Sequence, residues 1–216
     1  MHAVLGSRLG VAFECCASPL NAYHGAGYCS AFADTDLPFG SRGTFAGFAP
    51  LTGAYELNPP FVPGFIDACA AHALALLARA DTRKEPLSFV VVLPGWLDSL
   101  GYQALAQSAF TRRTLLIAAV DHGFVDGAQH ARARSYRQSP FDTCVFFAQT
   151  DAAAKANPVT DGVVAEVERA LAACTPTAEA LAAVPPSERV RGGGHGRVGK
   201  KPRKARRGGG GRGGRK

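Results

Sequence analysis

The sequence predicts an α/β fold with a doubly wound sheet, and three observations point to it. Short apolar segments alternate with an amphipathic helical pattern, as in chains built from strand-helix units. Residues 87–93 (LSFVVVL) form a continuous apolar run of strand length, which is typical of the interior of a parallel sheet. A chain of 216 residues with 47% hydrophobic residues is also long enough to bury one good core.

Six short apolar segments are predicted strands, and two helices lie among them. The strands are residues 11–16, 28–32, 54–57, 87–93, 114–120 and 143–149, with the last one at the sheet edge. Residues 37–53, rich in Gly, Pro and Phe, are expected to form an ordered loop. One helix opens at Pro63 and a shorter one covers residues 163–173. The apolar stripe of the first helix recurs at spacings of three and four: Ile66, Cys69, Ala73, Leu76 and Leu77.

Charge divides the chain into two parts. From Arg189 onward there are twelve Lys or Arg residues and no Asp or Glu, whereas residues 1–188 carry a net charge of −5. Almost nothing in the C-terminal part can be buried in a core. We therefore expect one folded domain over residues 1–185 and a disordered Arg/Gly/Lys-rich tail over residues 186–216.

The cysteine pattern and the hydropathy exclude several classes of protein. The six cysteines form no C-x-x-C pair and have no histidine at metal-ligand spacing, so we predict buried reduced thiols, no zinc and no disulfide. No apolar run approaches the roughly eighteen residues of a membrane span, and the N-terminus lacks a basic region followed by an apolar one. Neither a membrane span nor a signal peptide is expected.

The tetrapeptide Asn58-Pro59-Pro60-Phe61 is the most informative motif. It follows a predicted strand and precedes the long helix, and its two prolines fix φ and remove two backbone donors. The side-chain oxygen of Asn58 and the carbonyl of Pro59 can then accept from one planar NH₂ group, such as the 6-amino group of adenine. Phe61 offers a face on which a base can stack. The alternative is a rigid strand-to-helix turn without a catalytic role.

Several further segments carry a specific resemblance, from about residue 4 to residue 158. They include Phe13-Glu14-Cys15, Ala17-Ser18-Pro19-Leu20-Asn21, Tyr28-Cys29-Ser30-Ala31-Phe32, Asp34-Thr35-Asp36, Phe39-Gly40-Ser41-Arg42-Gly43, Phe48-Ala49-Pro50-Leu51, Glu85-Pro86-Leu87-Ser88-Phe89, Leu93-Pro94-x-Trp96 and Gly127-Ala128-Gln129-His130. Together with the Asn-Pro-Pro-Phe motif, they make the chain similar to the methyltransferase domain of the phosphorylated-CTD-interacting-factor family. The resemblance implies a Rossmann-like S-adenosylmethionine-dependent methyltransferase sheet and N6-methylation of the cap-adjacent 2′-O-methyladenosine of mRNA.

Residue roles follow from the resemblance by position. Asn58, Pro59, Pro60 and Phe61 would be catalytic, and the candidates for binding S-adenosylmethionine are Ser18, Asn21, Asp34 and Asp36. Trp96 is a candidate to stack on the target base or cap, and Phe39 and Arg42 are candidates to contact the RNA substrate or the cofactor. His122 and His130 are candidates to meet RNA phosphate. Ordinary roles remain open for all of these: Ser-Pro and Asp-Thr-Asp also form turns, Trp96 can be a packing residue, and a histidine in a loop is often merely solvated.

The sequence also departs from the family pattern. The family has an upstream helical region and often a WW module that binds the phosphorylated polymerase tail, and we expect neither in this sequence. Any link to the RNA polymerase II C-terminal domain therefore rests on the resemblance alone. Gly95 stands where the family commonly has an acid, and a basic Gly-rich tail replaces the usual C-terminus.

The tail and the motif leave three functions open. Twelve positive charges on a Gly-rich segment suit phosphate backbones, and the dense basic run 200–207 suits a nuclear import signal, so RNA is the expected partner and the nucleus the expected location. A solubilising tail without a partner is the alternative. The leading function is RNA adenosine methylation, followed by methylation of DNA adenine or protein glutamine. The third is a catalytically inactive RNA-binding remnant.

Overall fold

A five-stranded mixed sheet forms the centre of the protein, in a computed structural model that describes residues 1–25, 27–125 and 136–173. Its strands are β1 (Phe13–Glu14), β2 (Gly53–Leu57), β3 (Leu87–Pro94), β4 (Thr111–Ile117) and β7 (Thr143–Gln149). Their order across the sheet is β1-β2-β3-β7-β4. The first three are mutually parallel, and β7 is antiparallel to both of its neighbours. Two short strands, β5 (Gly123–Val125) and β6 (Tyr136–Gln138), pair separately.

Helices cover both faces of this sheet. They are α1 (His2–Leu9), α2 (Ala33–Asp36), α3 (Pro63–Thr82), α4 (Leu100–Ala106), α5 (Asp151–Ala156) and α6 (Asp161–Ala172). Short 3₁₀ turns occupy Leu37–Phe39, Phe45–Gly47 and Ala119–Asp121. The result is a mixed α/β fold in three layers.

The long helix α3 covers one face of the sheet. Its buried stripe packs with Phe89 and Val91 of β3 and with Phe146 of β7 in a single core cluster. The stripe contains all five residues expected from the sequence and adds Ala70 and Ala80: Ile66, Cys69, Ala70, Ala73, Leu76, Leu77 and Ala80. The predicted helix beginning at Pro63 is therefore confirmed, together with its buried face.

The opposite face is covered by α1 and α6. Leu5, Leu9 and Val167 pack there against Val145 and Phe147 of β7. The two helices are also joined at the surface, where Arg8 donates to both carboxylate oxygens of Glu166, at 2.8 and 2.6 Å. Because this ion pair is largely exposed, it contributes little to stability. Apolar packing holds the layer together.

Local sequence explains where the helices begin and end. Helix α1 ends at Gly10, which has φ of 70°, a left-handed conformation that favours glycine. Helix α3 begins at Pro63, where the absent N–H is not needed. The hydroxyl oxygens of Thr150 and Thr160 cap α5 and α6 by accepting from the backbone N–H three residues later.

Strand β7 lies inside the sheet, so its predicted position at the edge is wrong. All seven of its residues are buried, and it pairs with β3 on one side and β4 on the other. Its side chains serve both layers, with Val145 and Phe147 facing α1 and α6 while Phe146 and Ala148 face α3. The edge strand is β4, where Leu115 is buried and Leu116 is exposed.

Other boundaries also differ from the prediction. The expected strand at 28–32 is reduced to parallel bridges from Tyr28 to Glu14 and Ser41. The first strand is limited to Phe13–Glu14, and α1 precedes it although no helix was predicted there. The strand expected at 114–120 is Thr111–Ile117, and the last helix ends at Ala172.

Some expectations fall on residues that the structure does not describe. The tail 186–216, Cys174 and His130 lie outside the described residues. Within the described part, none of the helices is both long and apolar enough to span a membrane.

The central position of β7 can be tested by truncating Phe147, which is fully buried. Phe147→Ala should lower the free energy of unfolding by about 3–5 kcal/mol, because the cavity lies between two packed layers. The measurement is urea denaturation followed by circular dichroism. Phe32→Ala is the matched control, since Phe32 is 70% exposed and its change should stay within about 0.5 kcal/mol. Equal effects of the two changes would contradict the interior position of β7.

Candidate functional site

The strand order reverses between β1 and β2. After β1 the chain moves outward on one side, where Tyr28 bridges to Glu14 and Ser41 bridges to Tyr28, all in parallel. It then crosses back to β2 on the other side of β1 and continues to β3. In open α/β sheets ligands bind beyond the carboxyl ends of the strands at such a reversal. The topology therefore points to the end of the sheet at which β1 and β2 finish.

Two chain segments leave the sheet side by side at this reversal. The backbone N–H of Cys15 donates to the carbonyl of Glu56 at 2.7 Å, which fixes the end of β1 against β2. Beyond this bond lie Ser18 on one segment and Asn58 on the other. The structure thus brings the first cofactor candidates and the Asn-Pro-Pro-Phe motif to one edge of the sheet.

The Asn58 corner is rigid and open to solvent. Asn58 is exposed and Pro59 is buried, and the carbonyl of Pro60 accepts from Val62 N–H at 2.7 Å just before α3 begins. The Asn58 side-chain amide and the Pro59 carbonyl have no hydrogen-bond partner within residues 1–25, 27–125 and 136–173. The exposed Asn58 side chain is therefore available to a ligand, whereas Pro59 is buried.

Aromatic side chains lie beside this corner. The ring centroids of Phe61 and Trp96 are 6.3 Å apart, and those of Trp96 and Phe141 are 5.3 Å apart with nearly perpendicular planes. Phe61 and Trp96 are half-buried and also pack against the core under α3. Trp96 therefore has a packing role and still lies next to the motif. Phe141 was not among the predicted residues.

Gly95 lies at a close approach between two segments, where a side chain would be tight. Its N–H donates to the Asp142 carbonyl at 2.6 Å, and a Cβ at position 95 would lie 3.0 Å from the Cβ of Asp142. The same Asp142 accepts from Ala119 N–H at 2.9 Å. A side chain at position 95, where the resemblance expects an acid, would require the Asp142 segment to shift slightly.

Ser18 and Asn21 form one local turn. The Asn21 side-chain oxygen accepts from the backbone N–H of Ser18 at 2.7 Å and from its hydroxyl at 2.9 Å. Asn21 N–H in turn donates to the Ser18 carbonyl at 3.2 Å. Ser18 and Asn21 therefore do form a turn, which was one of the roles that the sequence left open. This turn lies beyond the end of β1.

Asp34 and Asp36 lie in the short helix α2, in different surroundings. Asp34 is exposed, whereas Asp36 is 8% exposed. Burial and, after it, the negative charge of Asp36 raise the pKa of Tyr28. Only Asp34 presents its carboxylate to solvent in this arrangement.

Phe39 and Arg42 are both exposed, next to α2. Phe39 is 67% exposed, and its carbonyl accepts from the Tyr28 hydroxyl at 3.2 Å. Arg42 N–H donates to the Tyr28 carbonyl at 2.8 Å, so the backbone of this loop is held by Tyr28. The Arg42 guanidinium makes no ion pair with any carboxylate in the described part of the chain.

His122 has a structural role, which overturns its assignment as a candidate phosphate contact. It is 2% exposed, and its two ring nitrogens lie 2.8 Å from the Ala118 carbonyl and 2.7 Å from the Thr143 hydroxyl. Both nitrogens are thus used within the fold.

Three cysteines, Cys16, Cys29 and Cys144, are poor nucleophiles. Burial raises the pKa of Cys29 to about 12 and, with a smaller opposing hydrogen bond from Tyr102, the pKa of Cys144 to about 11. A hydrogen bond to Cys69 and burial also raise the pKa of Cys16. These thiols are protonated at neutral pH, and the thiolate is the reactive form.

Two buried glutamates at the same edge escaped the sequence analysis. Glu14 and Glu56 face each other in the β1–β2 register and are 8% and 1% exposed. Glu56 accepts a hydrogen bond from His2 at 2.7 Å, which raises the pKa of that histidine against the opposing effect of burial. The sequence did contain a signal for them, since each of two apolar strand segments includes one acidic residue. A charge buried in such a strand needs a partner, so these glutamates could have been predicted to take part in a polar cluster.

Comparison with known proteins establishes the family. Residues 1–127 match the family model described as "Phosphorylated CTD interacting factor 1 WW domain". That match covers more than half of the chain. The chain belongs to the Phosphorylated CTD interacting factor 1 family. The resemblance found in the sequence is thereby confirmed, and the matched residues include β1 to β4 and the Asn58 corner.

Two curated relatives of this family are mRNA (2′-O-methyladenosine-N(6)-)-methyltransferases. The protein from Homo sapiens is 42% identical over 146 residues, which cover 66% of this chain and 20% of the relative. The protein from Mus musculus is 42% identical over 144 residues, which cover 65% of this chain and 20% of the relative. The chain thus spans about a fifth of the length of these family members.

Asn21→Ala tests whether the Ser18–Asn21 turn stabilises the site. The change removes the oxygen that accepts two hydrogen bonds from Ser18, so the free energy of unfolding should fall by about 0.5–2 kcal/mol. Asn21→Asp keeps the acceptor and should stay within about 0.5 kcal/mol of the original protein. Chemical denaturation measures both. If the two variants unfold alike, the turn bond is energetically irrelevant.

Proposed function

We propose that this chain carries the methyl-transfer site of an S-adenosylmethionine-dependent RNA adenosine N6-methyltransferase. Its proposed substrate is the cap-adjacent 2′-O-methyladenosine of mRNA. The observation that carries the proposal is the Asn58 corner at the carboxyl end of β2, where the strand order reverses and two acceptors have no hydrogen-bond partner in the described part of the chain. The human and mouse relatives, which are named for this reaction, support the same proposal.

The fold is proposed to be a Rossmann-like methyltransferase sheet. Its support is the parallel set β1, β2 and β3, extended outward by Tyr28 and Ser41, with helices on both faces. Strand β7 is the single antiparallel strand within the five. Doubly wound sheets of this kind bind nucleotide ligands at the reversal of strand order.

Asn58 and Pro59 would act on the amino group of adenine. An aryl amine is a poor nucleophile because its lone pair is delocalised into the ring. When the Asn58 side-chain oxygen and the Pro59 carbonyl accept its two hydrogens, they favour a pyramidal nitrogen and stabilise the positive charge that develops on it. Pro60 keeps the two acceptors in place by restricting the backbone. Phe61 would hold the base by stacking.

S-adenosylmethionine would supply an electrophilic methyl group on a sulfonium. The residues that fit it lie on the segments following β1: the Ser18–Asn21 turn and the acids of α2. Asp34 suits a ribose hydroxyl better than Asp36, because its carboxylate is exposed. Asp36 would instead stabilise the loop that follows α2, where its carbonyl accepts from the Ser41 N–H.

The substrate would lie across the exposed residues around this edge. Trp96 extends the aromatic surface of Phe61, and the exposed Phe39 and Arg42 offer a ring and a positive charge to RNA.

The tail 186–216 is proposed to attract RNA through its charge and to direct the protein to the nucleus. A link to the RNA polymerase II C-terminal domain is proposed from the family name only.

Asn58→Ala should reduce methyl transfer by at least about 10²-fold, because one of two preorganised acceptors is lost. The assay measures transfer from labelled S-adenosylmethionine to capped RNA beginning with 2′-O-methyladenosine. Since Asn58 is exposed, the unfolding transition should not change.

Asn157→Ala is the matched control. Asn157 is also exposed, but it follows α5 near the opposite end of the sheet, so its change should leave transfer intact. Full turnover by Asn58→Ala would remove Asn58 from the mechanism. Transfer to DNA adenine or to glutamine, but not to capped RNA, would reassign the substrate. The absence of S-adenosylmethionine binding in calorimetry would favour a non-catalytic RNA-binding protein.

Deleting residues 189–216 should weaken RNA binding at low salt and leave S-adenosylmethionine binding unchanged. The deletion removes twelve positive charges, and each lost phosphate contact should reduce the slope of log K against log salt by about 0.7. Fluorescence anisotropy at several salt concentrations measures this slope. Unchanged RNA affinity after deletion would refute the recruiting role of the tail.

A further inference from the structure

Three side chains from distant parts of the chain meet beside β1 and β2, on the face of the sheet that α1 covers. His2 begins α1, His24 follows the Ser18–Asn21 turn, and Glu56 is near the end of β2. One ligand atom from each of them lies within 4.8 Å of the other two. The His2 Nδ1 atom is 2.7 Å from Glu56 Oε2, and the His24 Nε2 atom is 3.6 Å from the same oxygen.

Glu56 is a buried carboxylate that needs positive charge. Its side chain is 2% exposed, and burial of an ionised carboxylate is costly unless it is paired or bound to a metal. The neighbouring Glu14 cannot neutralise the charge of Glu56, because it is also acidic. Its carboxylate already accepts from the backbone N–H groups of Tyr23 at 2.5 Å and His24 at 3.1 Å.

His24 points an unpartnered nitrogen into the same space. Its side chain is 6% exposed, and its Nε2 atom is buried without a hydrogen-bond partner in the described part of the chain. A buried polar atom left unpaired is destabilising. The loop that carries it is nevertheless held firmly, by the two N–H bonds to Glu14.

We propose that His2 Nδ1, His24 Nε2 and Glu56 Oε2 bind a divalent first-row transition metal, with Zn²⁺ as the best match. Two imidazoles and one carboxylate are a ligand set that zinc uses, with one coordination position left open. Ligands about 2.0–2.1 Å from a tetrahedral zinc lie about 3.3 Å apart. The His24–Glu56 distance of 3.6 Å is already close to this value, and the His2–Glu56 hydrogen bond has to open from 2.7 Å.

The site joins α1 to the strand that carries the catalytic corner. Glu56 precedes Asn58 by two residues on the same chain segment, and His2 belongs to the helix that covers this face of the sheet. Binding would replace a bond between a histidine and a carboxylate by three metal–ligand bonds. The metal would thus fix the N-terminal helix and the His24 loop to β2.

The spacing of the ligands explains why the sequence predicted no metal. His2, His24 and Glu56 have none of the short intervals that mark a zinc motif. They meet only because β1 pairs in parallel with β2 and α1 packs over both.

Competition titration with a zinc-binding dye tests the proposal. The whole 216-residue chain is used, purified with a tag that lacks histidine, and zinc binding is measured in parallel by elemental analysis after dialysis. One tight site per chain is expected. His2→Gln, His24→Gln and Glu56→Gln should each weaken that site at least about tenfold. Zinc should also raise the Tm of the original chain but not that of His24→Gln.

His72→Gln is the matched control. His72 is another partly buried histidine, with its Nε2 atom 3.0 Å from the Phe48 carbonyl, and it lies outside the cluster, so zinc affinity should be unchanged. X-ray absorption of the zinc-loaded chain should show nitrogen and oxygen ligands at about 2.0–2.1 Å. Absence of a tight site in the original chain would overturn the proposal, and so would a tight site that survives His2→Gln and His24→Gln, two changes that spare the buried strand.

Discussion

The parallel pairing of β1 with β2 is the constraint on which the rest of the site depends. It is short, with two register pairs and one bond from Cys15 N–H to the Glu56 carbonyl at 2.7 Å. Because the chain reaches β2 only after going outward through Tyr28 and Ser41, this pairing joins segments some forty residues apart in sequence. It brings the turn after β1 and the corner after β2 to one edge. Without it, neither segment has the other as a neighbour.

The corner itself is rigid because two different constraints act on it. Pro59 and Pro60 restrict the backbone on the exit from β2, and α3 fixes the other end through its long buried stripe. The strand is fixed in turn by five register pairs with β3, which is buried along its whole length. The exposed Asn58 therefore lies on a support that packs into both core layers.

The sequence predicted what depends on local pattern and missed what depends on distant pairing. The helix at Pro63, the strand at 87–93 and the turn potential of Ser18 and Asn21 are all encoded within a few residues. The place of β7 depends on which strands flank it, and an apolar strand exposed at an edge looks the same in sequence as a buried one. The reduction of residues 28–32 to one bridging residue, and the meeting of Glu14 with Glu56, likewise depend on register between remote segments.

The two buried glutamates show how the strand ends are coupled to the loops around them. Glu14 accepts from Tyr23 and His24 N–H, so the loop after β1 is tied back to the strand that it leaves. Glu56 is tied to α1 through His2, whose ring also stacks on Tyr23 at 4.8 Å. An apolar pair at these positions would avoid the desolvation cost of two buried carboxylates. It would, however, leave the loop and the helix without these hydrogen-bond partners. The two carboxylates therefore fix the loop after β1 and helix α1 relative to the paired ends of β1 and β2.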